Sequence, residues 1–335
     1  MSGQETLRRR TALLPTDARP RLLVVVDTEE EFDWGAPFDR GATAVEAMAH
    51  QEPAQSLCRR FDLSPTYVVD YPVASQESGY RTLLDWAASG DAIIGAHLHP
   101  WVSPPHEEEV NTFNSFPGNL PAELEAAKLK RLGETIEESF GSRPRIYKAG
   151  RYGFGPHTAA ILEQEGYEVD LSSNPPFDYT DEGGPDYSDY EPHPYWLGTG
   201  ERLLGIPGTG GYVGWMAGAH SIYALASHRA LRWSRLPGIL SRLGAIDRLR
   251  LSPEGFDAGE MSRLAQALFA RGVRVFSLSY HSPSLMPGCT PYVRSAADLD
   301  RFLGELESFL DYFFGHLDGV PTTPLALRDE LREAA

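Results

Sequence analysis

An apolar stretch near the N-terminus, residues 21–27, ends in a cluster of carboxylates. Five acidic residues fall within seven positions: Asp27, Glu29, Glu30, Glu31 and Asp33. Ligands of α/β proteins bind just beyond the carboxyl ends of strands, so a buried strand that ends in acids favours chemistry over packing. If the extended backbone continues, Asp27 and Glu29 point to the same side. We expect one to accept a proton and the other to bind a metal; a solvated acidic loop is the alternative.

Two histidines lie at the end of another predicted strand. His97 and His99 follow the apolar residues 92–96 and, two positions apart on a strand, point to the same side. Zinc binds imidazole nitrogen at about 2.0–2.1 Å, and catalytic zinc sites combine three protein ligands with one open position. The pattern predicts a metal site made by both histidines and a carboxylate of Asp27, Glu29 or Glu30. Alternatively, the histidines only form hydrogen bonds within their loop, with Trp101 packed beneath.

Other predicted strands also end in reactive side chains. These are Lys148 and Arg151 after the fourth strand, Asp170 at the end of the fifth, and His281 at the end of the last. The chain has no Gly-x-Ser-x-Gly motif, and neither of its two cysteines lies in a reactive motif, so water is the simplest nucleophile. Asp27 fits the base that takes the proton of water, and His281 fits the acid for the leaving group. A core histidine that ends the strand is the alternative for His281.

The elements that carry these residues alternate between strand and helix about seven times. Parallel strands with crossover helices follow from that order. The length and the lack of Gly-x-Gly-x-x-Gly after the first strand favour a distorted (β/α) barrel over a Rossmann sheet, which is the alternative. We expect one catalytic domain over 20–320 with insertions at 102–120 and 173–245. A disordered leader over 1–19 and a C-terminal tail over 321–335 would flank it.

Composition excludes several classes of protein. A net charge of −17 argues against nucleic acid as a partner, because phosphate binding needs clustered cations. Two cysteines give no disulfide framework, and no run of about 20 apolar residues could span a membrane. The N-terminal residues lack the apolar segment of a signal peptide, so we expect a cytoplasmic protein. The sequence makes no prediction of the oligomeric state.

Five motifs together resemble those of a known family. They are Val26-Asp27-Thr28-Glu29, Gly95-Ala96-His97-Leu98-His99-Pro100, Tyr147-Lys148-Ala149-Gly150-Arg151-Tyr152-Gly153, Val169-Asp170-Leu171-Ser172-Ser173 and Tyr280-His281-Ser282-Pro283. In order and spacing they are similar to the NodB-homology polysaccharide deacetylases, which are carbohydrate esterase family 4-like. The first two motifs, with Trp34 and Trp101, most resemble the WalW-like branch. The resemblance covers about residues 20–290.

The resemblance implies a distorted barrel, a divalent metal (usually zinc) and hydrolysis of an N-acetyl or O-acetyl group on a sugar or polysaccharide. By motif position, Asp27 would be the base, His97 and His99 metal ligands, and His281 the acid. Lys148 would orient the base, and Asp170 would support His281. The backbone N–H of Tyr152 would help to form the oxyanion hole.

Three departures from the family pattern bear on the metal. Thr28 replaces the second of two adjacent aspartates, so the metal carboxylate must come from Glu29 or Glu30, or be missing. The histidines are two residues apart instead of four. Lys148 replaces an arginine fork with a point charge. Metal-independent relatives that act on small amides and cyclic ureides exist in the superfamily, so a metal-free amidohydrolase is one alternative. A decayed glycan-binding subunit of a polysaccharide assembly is another.

Aromatic and cationic side chains complete the candidate list. Trp34, Trp101, Tyr152, Tyr179 and Trp215 could stack on pyranose rings, and Arg151 is a further candidate for substrate binding; core packing is the alternative for each aromatic residue. Residues 177–190 are predicted as a lid or an ordinary insertion. The arginines at 229, 232, 235 and 242 are predicted as a cationic helical surface, which is by default solvated.

Overall fold

The computed structural model describes residues 9–198, 200–219 and 245–334. The strands are β1 (Arg9–Thr11), β2 (Arg21–Thr28), β3 (Thr66–Val69), β4 (Ile93–Leu98), β5 (Ile146–Ala149), β6 (Val169–Asp170), β7 (Tyr195–Leu197), β8 (Leu203–Gly205), β9 (Gly210–Val213), β10 (Asp247–Arg250), β11 (Val275–His281) and β12 (Val320–Pro321). The helices are α1 (Glu52–Arg60), α2 (Tyr71–Ser75), α3 (Glu77–Ser89), α4 (Ala122–Phe140), α5 (Thr158–Gln164), α6 (Ala258–Ala270), α7 (Ala296–Gly315) and α8 (Pro324–Glu333).

Seven parallel strands form the centre of the main sheet. Their order is β11-β2-β3-β4-β5-β6-β8, and each pair is parallel. Strand β7 extends the sheet antiparallel to β8, β1 pairs antiparallel with β7, and β12 pairs with the start of β2. Of the predicted distorted (β/α) barrel of about seven parallel strands, the α/β class and the seven parallel strands are confirmed.

Backbone hydrogen bonds cross the gap between the two ends of the parallel run. Strands β9 and β10 form a separate antiparallel pair. The N–H of Thr209 donates to the carbonyl of Ser277 in β11 at 3.3 Å, and the N–H of Leu251 donates to Thr209 at 2.8 Å. The N–H of Ser279 donates to Leu251 at 3.0 Å. Regular pairing is therefore open among the described residues, and single contacts curve the sheet into a distorted barrel.

Alternation along β2 decides which of its side chains lie on the inner face of the sheet. Leu22, Val24 and Val26 pack into the larger apolar cluster, which includes residues of the surrounding helices. Leu23 and Val25 pack into a smaller cluster on the opposite face of the sheet. Because side chains alternate with period two, Asp27 continues the series of Leu23 and Val25. The carboxylate therefore emerges on the inner face, at the carboxyl end of the strand.

The same alternation applies to the other strands of the barrel. Ile146 belongs to the inner cluster, so Lys148 follows it on the same face of β5. Val275 and Ile93 also pack with the inner cluster, so His281 lies on the inner face of β11 and His97 lies on the inner face of β4. Side chains from four separate strands thus converge at one end of the barrel.

Two expectations about the chain ends need correction or detail. The predicted disordered leader is wrong for residues 9–19, because β1 pairs with β7 and the side chains of Ala12 and Leu14 are buried. The predicted tail contains α8, which buries Leu327 and Leu331 in the inner cluster. Apolar side chains at regular spacing explain both results, because burying them against the barrel stabilises each segment.

The insertions are partly ordered into short elements. Within the predicted insertion 173–245, β7 at Tyr195–Leu197 extends the main sheet. The arginines at 229, 232, 235 and 242 lie outside the described residues. Among the described residues, no helix is both long and apolar enough to cross a membrane.

Candidate active site

The reactive side chains of β2, β4, β5 and β11 line one cavity at the carboxyl ends of the strands. Its volume is about 360 Å³. Asp27, His97, Lys148 and His281 all contribute to its wall. Parallel barrels place their ligand sites at this end, so the position agrees with the sequence-based expectation.

Glu29 lies between His97 of β4 and His99, which directly follows the end of that strand. Its Oε2 atom is 3.6 Å from Nε2 of His97 and 3.5 Å from Nε2 of His99. Two ligands of one tetrahedral zinc, each about 2.1 Å from the ion, lie about 3.4 Å apart. The three atoms therefore have the mutual spacing of ligands that share one ion, and they form one of two such groups among the described residues.

The other nitrogen of each ring is held by a hydrogen bond. Nδ1 of His97 lies 3.0 Å from the carbonyl oxygen of Lys148, and Nδ1 of His99 lies 2.9 Å from Oε2 of Glu30. A carbonyl can only accept, so Nδ1 of His97 carries the proton and the lone pair of its Nε2 points toward Glu29; the ionised form of Glu30 sets the same tautomer in His99. Partners of this kind orient metal-binding histidines in known sites.

Burial keeps both imidazoles in the form that binds metals. Desolvation lowers the pKa of His97 well below its usual value and lowers that of His99 to about 4. Burial also raises the pKa of Glu29 well above its usual value, with further contributions from Glu30 and Asp27. Its Oε1 atom is buried and has no hydrogen-bond partner. A cation bound to Glu29 would compensate this buried carboxylate, so the residues present fit a divalent metal such as zinc.

Glu30 supports this group instead of contributing a ligand to it. Its Oε1 accepts a hydrogen bond at 2.8 Å from the indole of Trp101, which stacks on His99 with ring centroids 4.2 Å apart. The backbone N–H of Glu30 donates to Asp70 at 2.9 Å. Glu30, Asp70 and His99 form the second group with metal-ligand spacing, but these hydrogen bonds already use several of their polar atoms.

Asp27 forms a buried ion pair with Lys148. The Nζ atom lies 2.6 Å from Oδ1 and 2.7 Å from Oδ2 of the carboxylate. Burial alone would raise the pKa of Asp27, but Lys148, His97 and His281 together lower it to about 2. The carboxylate is therefore ionised at neutral pH and fixed in direction by the lysine.

His281 faces the same carboxylate from the opposite side. Its Nε2 lies 3.6 Å from Oδ2 of Asp27, while its Nδ1 lies 2.7 Å from Oε2 of Glu254. Oε1 of Glu254 accepts hydrogen bonds from the backbone N–H of His281 at 3.0 Å and from Ser284 at 2.5 Å. Burial would raise the pKa of Glu254, but His281 and Ser284 lower it. The ring is thus held by an ionised carboxylate.

Asp170 does not take the position that its motif suggested. Val169 and Leu171 both belong to the inner cluster, so Asp170 between them points to the other face of β6. Its carboxylate accepts hydrogen bonds from the hydroxyl and the N–H of Ser172, and burial raises its pKa to about 7. The prediction that Asp170 supports His281 is wrong, because Glu254 has that role.

Sequence reasoning missed Glu254, although a signal was present. It follows β10 at a predicted strand end, as the other reactive residues do, separated by Leu251, Ser252 and Pro253. Because the carboxylate lies four residues beyond the strand, the strand pattern alone does not show that it turns back to His281.

The loop after β5 has a strained backbone. Arg151 and Tyr152 both adopt left-handed conformations, with φ of 53° and 59°. A Cβ at Gly150 would lie 2.6 Å from the ring of His99, so only glycine allows this close approach. Strain of this kind persists where the surroundings impose it, often at functional sites. Tyr152 is thereby brought against the cavity wall.

The remaining predicted substrate-binding residues fall into two groups. Trp34 packs edge-on against the ring of His281 at 4.9 Å, and Tyr179 stacks on Tyr152 at 5.2 Å; both line the cavity. Arg151 also lines it and pairs with Glu182 of the second insertion. Trp101 also lines the cavity but is only 1% exposed, and its indole supports Glu30.

Trp215, suggested as part of a stacking platform, is 77% exposed and is not among the residues that line this cavity. The second insertion, through Tyr179 and Glu182, does reach the cavity wall. That contact agrees with the lid interpretation of residues 177–190, which stays a prediction.

Solved structures share this fold at low sequence identity. One is a protein from Mycobacterium smegmatis assigned as a polysaccharide deacetylase, with 16% identity, a TM-score of 0.51, and coverage of 97% of this chain and 95% of that one. A second, from Pseudomonas aeruginosa PAO1 and assigned in the same way, has 16% identity, a TM-score of 0.52, and coverage of 96% and 93%. The third is PuuE allantoinase, with 17% identity, a TM-score of 0.54, and coverage of 96% and 93%.

These likenesses confirm the resemblance to polysaccharide deacetylases at the level of the fold. No protein-family model matches the chain, and no curated protein matches it. Fold alone does not assign an activity, because one fold hosts many chemistries. The function must therefore be argued from the residues of the cavity.

Proposed function

We propose that the chain is a metal-dependent hydrolase that removes an acetyl or other acyl group from a carbohydrate. One observation carries the proposal. Glu29, His97 and His99 lie with ligand spacing in the same cavity as an ionised carboxylate, Asp27, and a histidine held by a second carboxylate, His281. A base, an acid and a metal group in one cavity are the parts that hydrolysis of an amide or ester requires.

The metal would be held by the Oε2 of Glu29 and the two Nε2 atoms. When bound, a zinc ion supplies Lewis-acid polarisation of the acyl carbonyl and lowers the pKa of the attacking water. Glu30 and the carbonyl of Lys148 keep the imidazoles aimed at this position. Three protein ligands leave an open position, which distinguishes catalytic from structural zinc sites.

Asp27 accepts the proton of the attacking water in this proposal. Lys148 holds its carboxylate ionised and limits its rotation, so one lone pair faces the cavity. His281 then delivers a proton from Nε2 to the leaving nitrogen or oxygen, while Glu254 stabilises the positive imidazolium. Because Nε2 lies only 3.6 Å from Asp27, one side chain can pass the proton on to the other.

The backbone N–H of Tyr152 is proposed as a donor to the developing oxyanion. The left-handed backbone at Arg151 and Tyr152 and the close approach at Gly150 support this role, because they bring the loop against His99. Fixed backbone donors are among the largest catalytic contributions when they are preorganised.

A sugar is the proposed substrate because of the cavity wall. Trp34 and Tyr179 offer aromatic faces or edges beside the catalytic groups, and such rings bind the apolar faces of pyranoses. A volume of about 360 Å³ lies at the lower end of the range for small-molecule sites, so one sugar unit fits. We propose a role in synthesis or modification of a surface polysaccharide, in the cytoplasm.

A metal-independent amidohydrolase is the second candidate. One neighbour in fold is an allantoinase, and Thr28 stands where the family carries a metal-binding aspartate. A catalytically decayed glycan-binding subunit is the third. It would bind acetylated sugars without turnover, and binding would survive Asp27→Asn.

Acetate release from acetylated amino sugars and from O-acetylated sugars tests the proposal. Zinc-loaded wild-type protein should release acetate, and Asp27→Asn should reduce the rate by at least about 10²-fold, as expected for loss of a general base. Turnover that persists in chelator but is lost in His281→Ala would favour the metal-independent amidohydrolase. Glycan binding without any acetate release would favour the binding subunit.

A further inference from the structure

The cavity contains a second guanidinium that the hydrolytic mechanism does not use. Arg250, at the end of β10, lines the cavity beside Tyr152, Tyr179 and Tyr292. Its Nη1 lies 3.4 Å from the hydroxyl of Tyr152, and it also interacts with the hydroxyl of Tyr292. The side chain is half-buried, and hydroxyl groups are its nearest polar partners.

The other cations of the cavity have carboxylate partners. Lys148 pairs with Asp27, Arg151 with Glu182, and His281 with Glu254. Within residues 9–198, 200–219 and 245–334, no carboxylate oxygen lies within 4.0 Å of a nitrogen of Arg250 in any ion pair. Glu254, which already holds His281, acts on the guanidinium only from beyond ion-pair distance. A largely buried arginine without a directly paired carboxylate favours an anionic ligand, so the cavity can receive a negative charge at this point.

The neighbours of Arg250 suit a carboxylate. A guanidinium offers two parallel N–H donors, which match the two oxygens of a carboxylate. Phenol hydroxyls from Tyr152 and Tyr292 can donate to the same oxygens. One cation balances one negative charge, whereas a phosphate dianion would leave an excess charge in a chain with a net charge of −17.

Two aromatic rings connect Arg250 to the catalytic groups, over a distance that one small substrate can span. Tyr152 bridges the distance on one side, since its ring centroid is 5.3 Å from Nζ of Lys148. Tyr292 bridges it on the other, because it packs against Trp34, which in turn contacts His281. A molecule whose acyl group lies at Asp27 and His281 therefore extends toward the guanidinium.

We propose that Arg250 binds a carboxylate on the substrate, so that the enzyme selects acylated acids, such as an acylated uronic acid or sugar acid, over neutral acylated sugars. The proposal rests on the hydrolytic function above for its catalytic part. The binding of a carboxylate at Arg250 does not depend on turnover and is tested separately.

Equilibrium binding of benzoate against benzamide tests the carboxylate site directly. Chelator-treated protein is used, so that no metal binds the probe. We expect benzoate to bind about 10- to 100-fold more tightly than its neutral isostere, and Arg250→Gln to abolish that preference, as for loss of a charged hydrogen bond. Equal binding of the two probes, or a preference that survives Arg250→Gln, overturns the proposal.

Turnover of two matched esters tests selection. Zinc-loaded wild type should hydrolyse 4-acetoxybenzoate with a kcat/KM about 10-fold or more above that of 4-acetoxybenzamide, and Arg250→Gln should bring the ratio near one. Arg263→Gln removes one charge from an exposed arginine of α6, which pairs with Asp247 on β10, the strand that carries Arg250; this variant should keep the wild-type ratio. A wild-type ratio near one overturns the proposed selection.

The two failures are distinguishable. If neither ester is turned over and no acetylated sugar releases acetate, the hydrolytic function is wrong, and the benzoate measurement still decides the role of Arg250. If esters are hydrolysed without preference, the function stands and the carboxylate site is rejected.

Discussion

Oε2 of Glu254 lies 2.7 Å from Nδ1 of His281, and the other oxygen of the same carboxylate accepts the backbone N–H of that histidine at 3.0 Å. Two contacts from one carboxylate fix both the ring and the backbone that carries it. Nε2 is consequently directed to Asp27 and the cavity. In the proposed hydrolysis, one carboxylate, Glu254, therefore positions the acid His281, and a different carboxylate, Asp27, is the base.

Glu254→Gln should weaken proton delivery to the leaving group. The neutral amide no longer stabilises the imidazolium, so hydrolysis of acetanilide, whose leaving amine needs a proton, should slow by about 10²-fold. Hydrolysis of 4-nitrophenyl acetate, whose leaving group is stable as an anion, should change much less. The two kcat/KM values, measured for wild type and variant, check this.

Asp170→Asn is the matched control for that experiment. It removes a buried carboxylate that the motif pattern had assigned to His281 but that contacts Ser172 instead. It should leave the ratio of acetanilide to 4-nitrophenyl acetate turnover as in wild type. A ratio that falls in Asp170→Asn and stays constant in Glu254→Gln would reject the assignment of Glu254.

Lys148→Met should move the acidic limb of the pH profile. Lys148 is the strongest of the charges that lower the pKa of Asp27 to about 2, so the variant has a higher pKa there. Activity needs the ionised carboxylate, and the acidic limb of kcat/KM should therefore shift to higher pH. Removal of one partner of a buried ion pair also costs about 3–5 kcal/mol of stability, which thermal unfolding measures.

Lys148→Arg retains the charge and serves as the control. Its acidic limb should stay near that of wild type, with a loss in rate that reflects the larger side chain. An acidic limb in Lys148→Met that coincides with that of wild type would show that Asp27 is not the group whose ionisation limits the rate.

Glu30→Gln should weaken metal binding without abolishing it. Glu30 orients His99 through Nδ1 and does not point its oxygens at Glu29 and His97. Loss of such an orienting partner typically costs about 10- to 100-fold in metal affinity. Competition with a chromogenic zinc chelator measures the affinity. A loss as complete as in Glu29→Gln would instead make Glu30 a ligand.

Glu125 should make stability depend on pH away from the active site. Burial raises the pKa of Glu125 to about 7, and the hydroxyl of Thr158 opposes the shift by donating to it. The folded state holds the proton more tightly than the unfolded state, whose pKa is near 4.5. This contribution is complete below pH 4.5 and is lost as the pH rises through about 7.

Glu125→Gln should remove that dependence. The free energy of unfolding of the variant, relative to wild type, should rise by up to about 3 kcal/mol between pH 5 and pH 8, at about 1.4 kcal/mol for each pH unit. Urea unfolding at several pH values measures it. A difference between variant and wild type that is constant with pH would contradict a protonated Glu125 in the fold.

The sequence predicted what depends on period-two alternation. Asp27 and Lys148 follow apolar inner residues of β2 and β5, and His281 is the last residue of β11. His97 and His99, two positions apart at the end of β4, face the same side, so the convergence of these residues follows from local pattern. The same pattern places Asp27 and Glu29 on one side, and the structure brings Glu29, not Glu30, between the histidines.

The parts that were missed depend on long-range packing. Asp170 matched a motif by position, but the alternation of Val169 and Leu171 turns it away from the cavity. Glu254 lies four residues beyond β10, which pairs with β9, and backbone hydrogen bonds of Leu251 and Thr209 connect this region to β11. A short irregular strand carries no clear periodicity, so neither its register nor its partners could be read from the sequence.

Zinc content and activity, measured together on the same preparation, test the metal mechanism most directly. Protein purified without chelator should contain about one zinc per chain, lose the metal and acetate release in chelator, and recover both with one equivalent of zinc; Glu29→Gln and His97→Ala should bind none. Acetate release that continues in metal-free protein, or a wild-type chain that binds no zinc, would contradict a metal-dependent hydrolase.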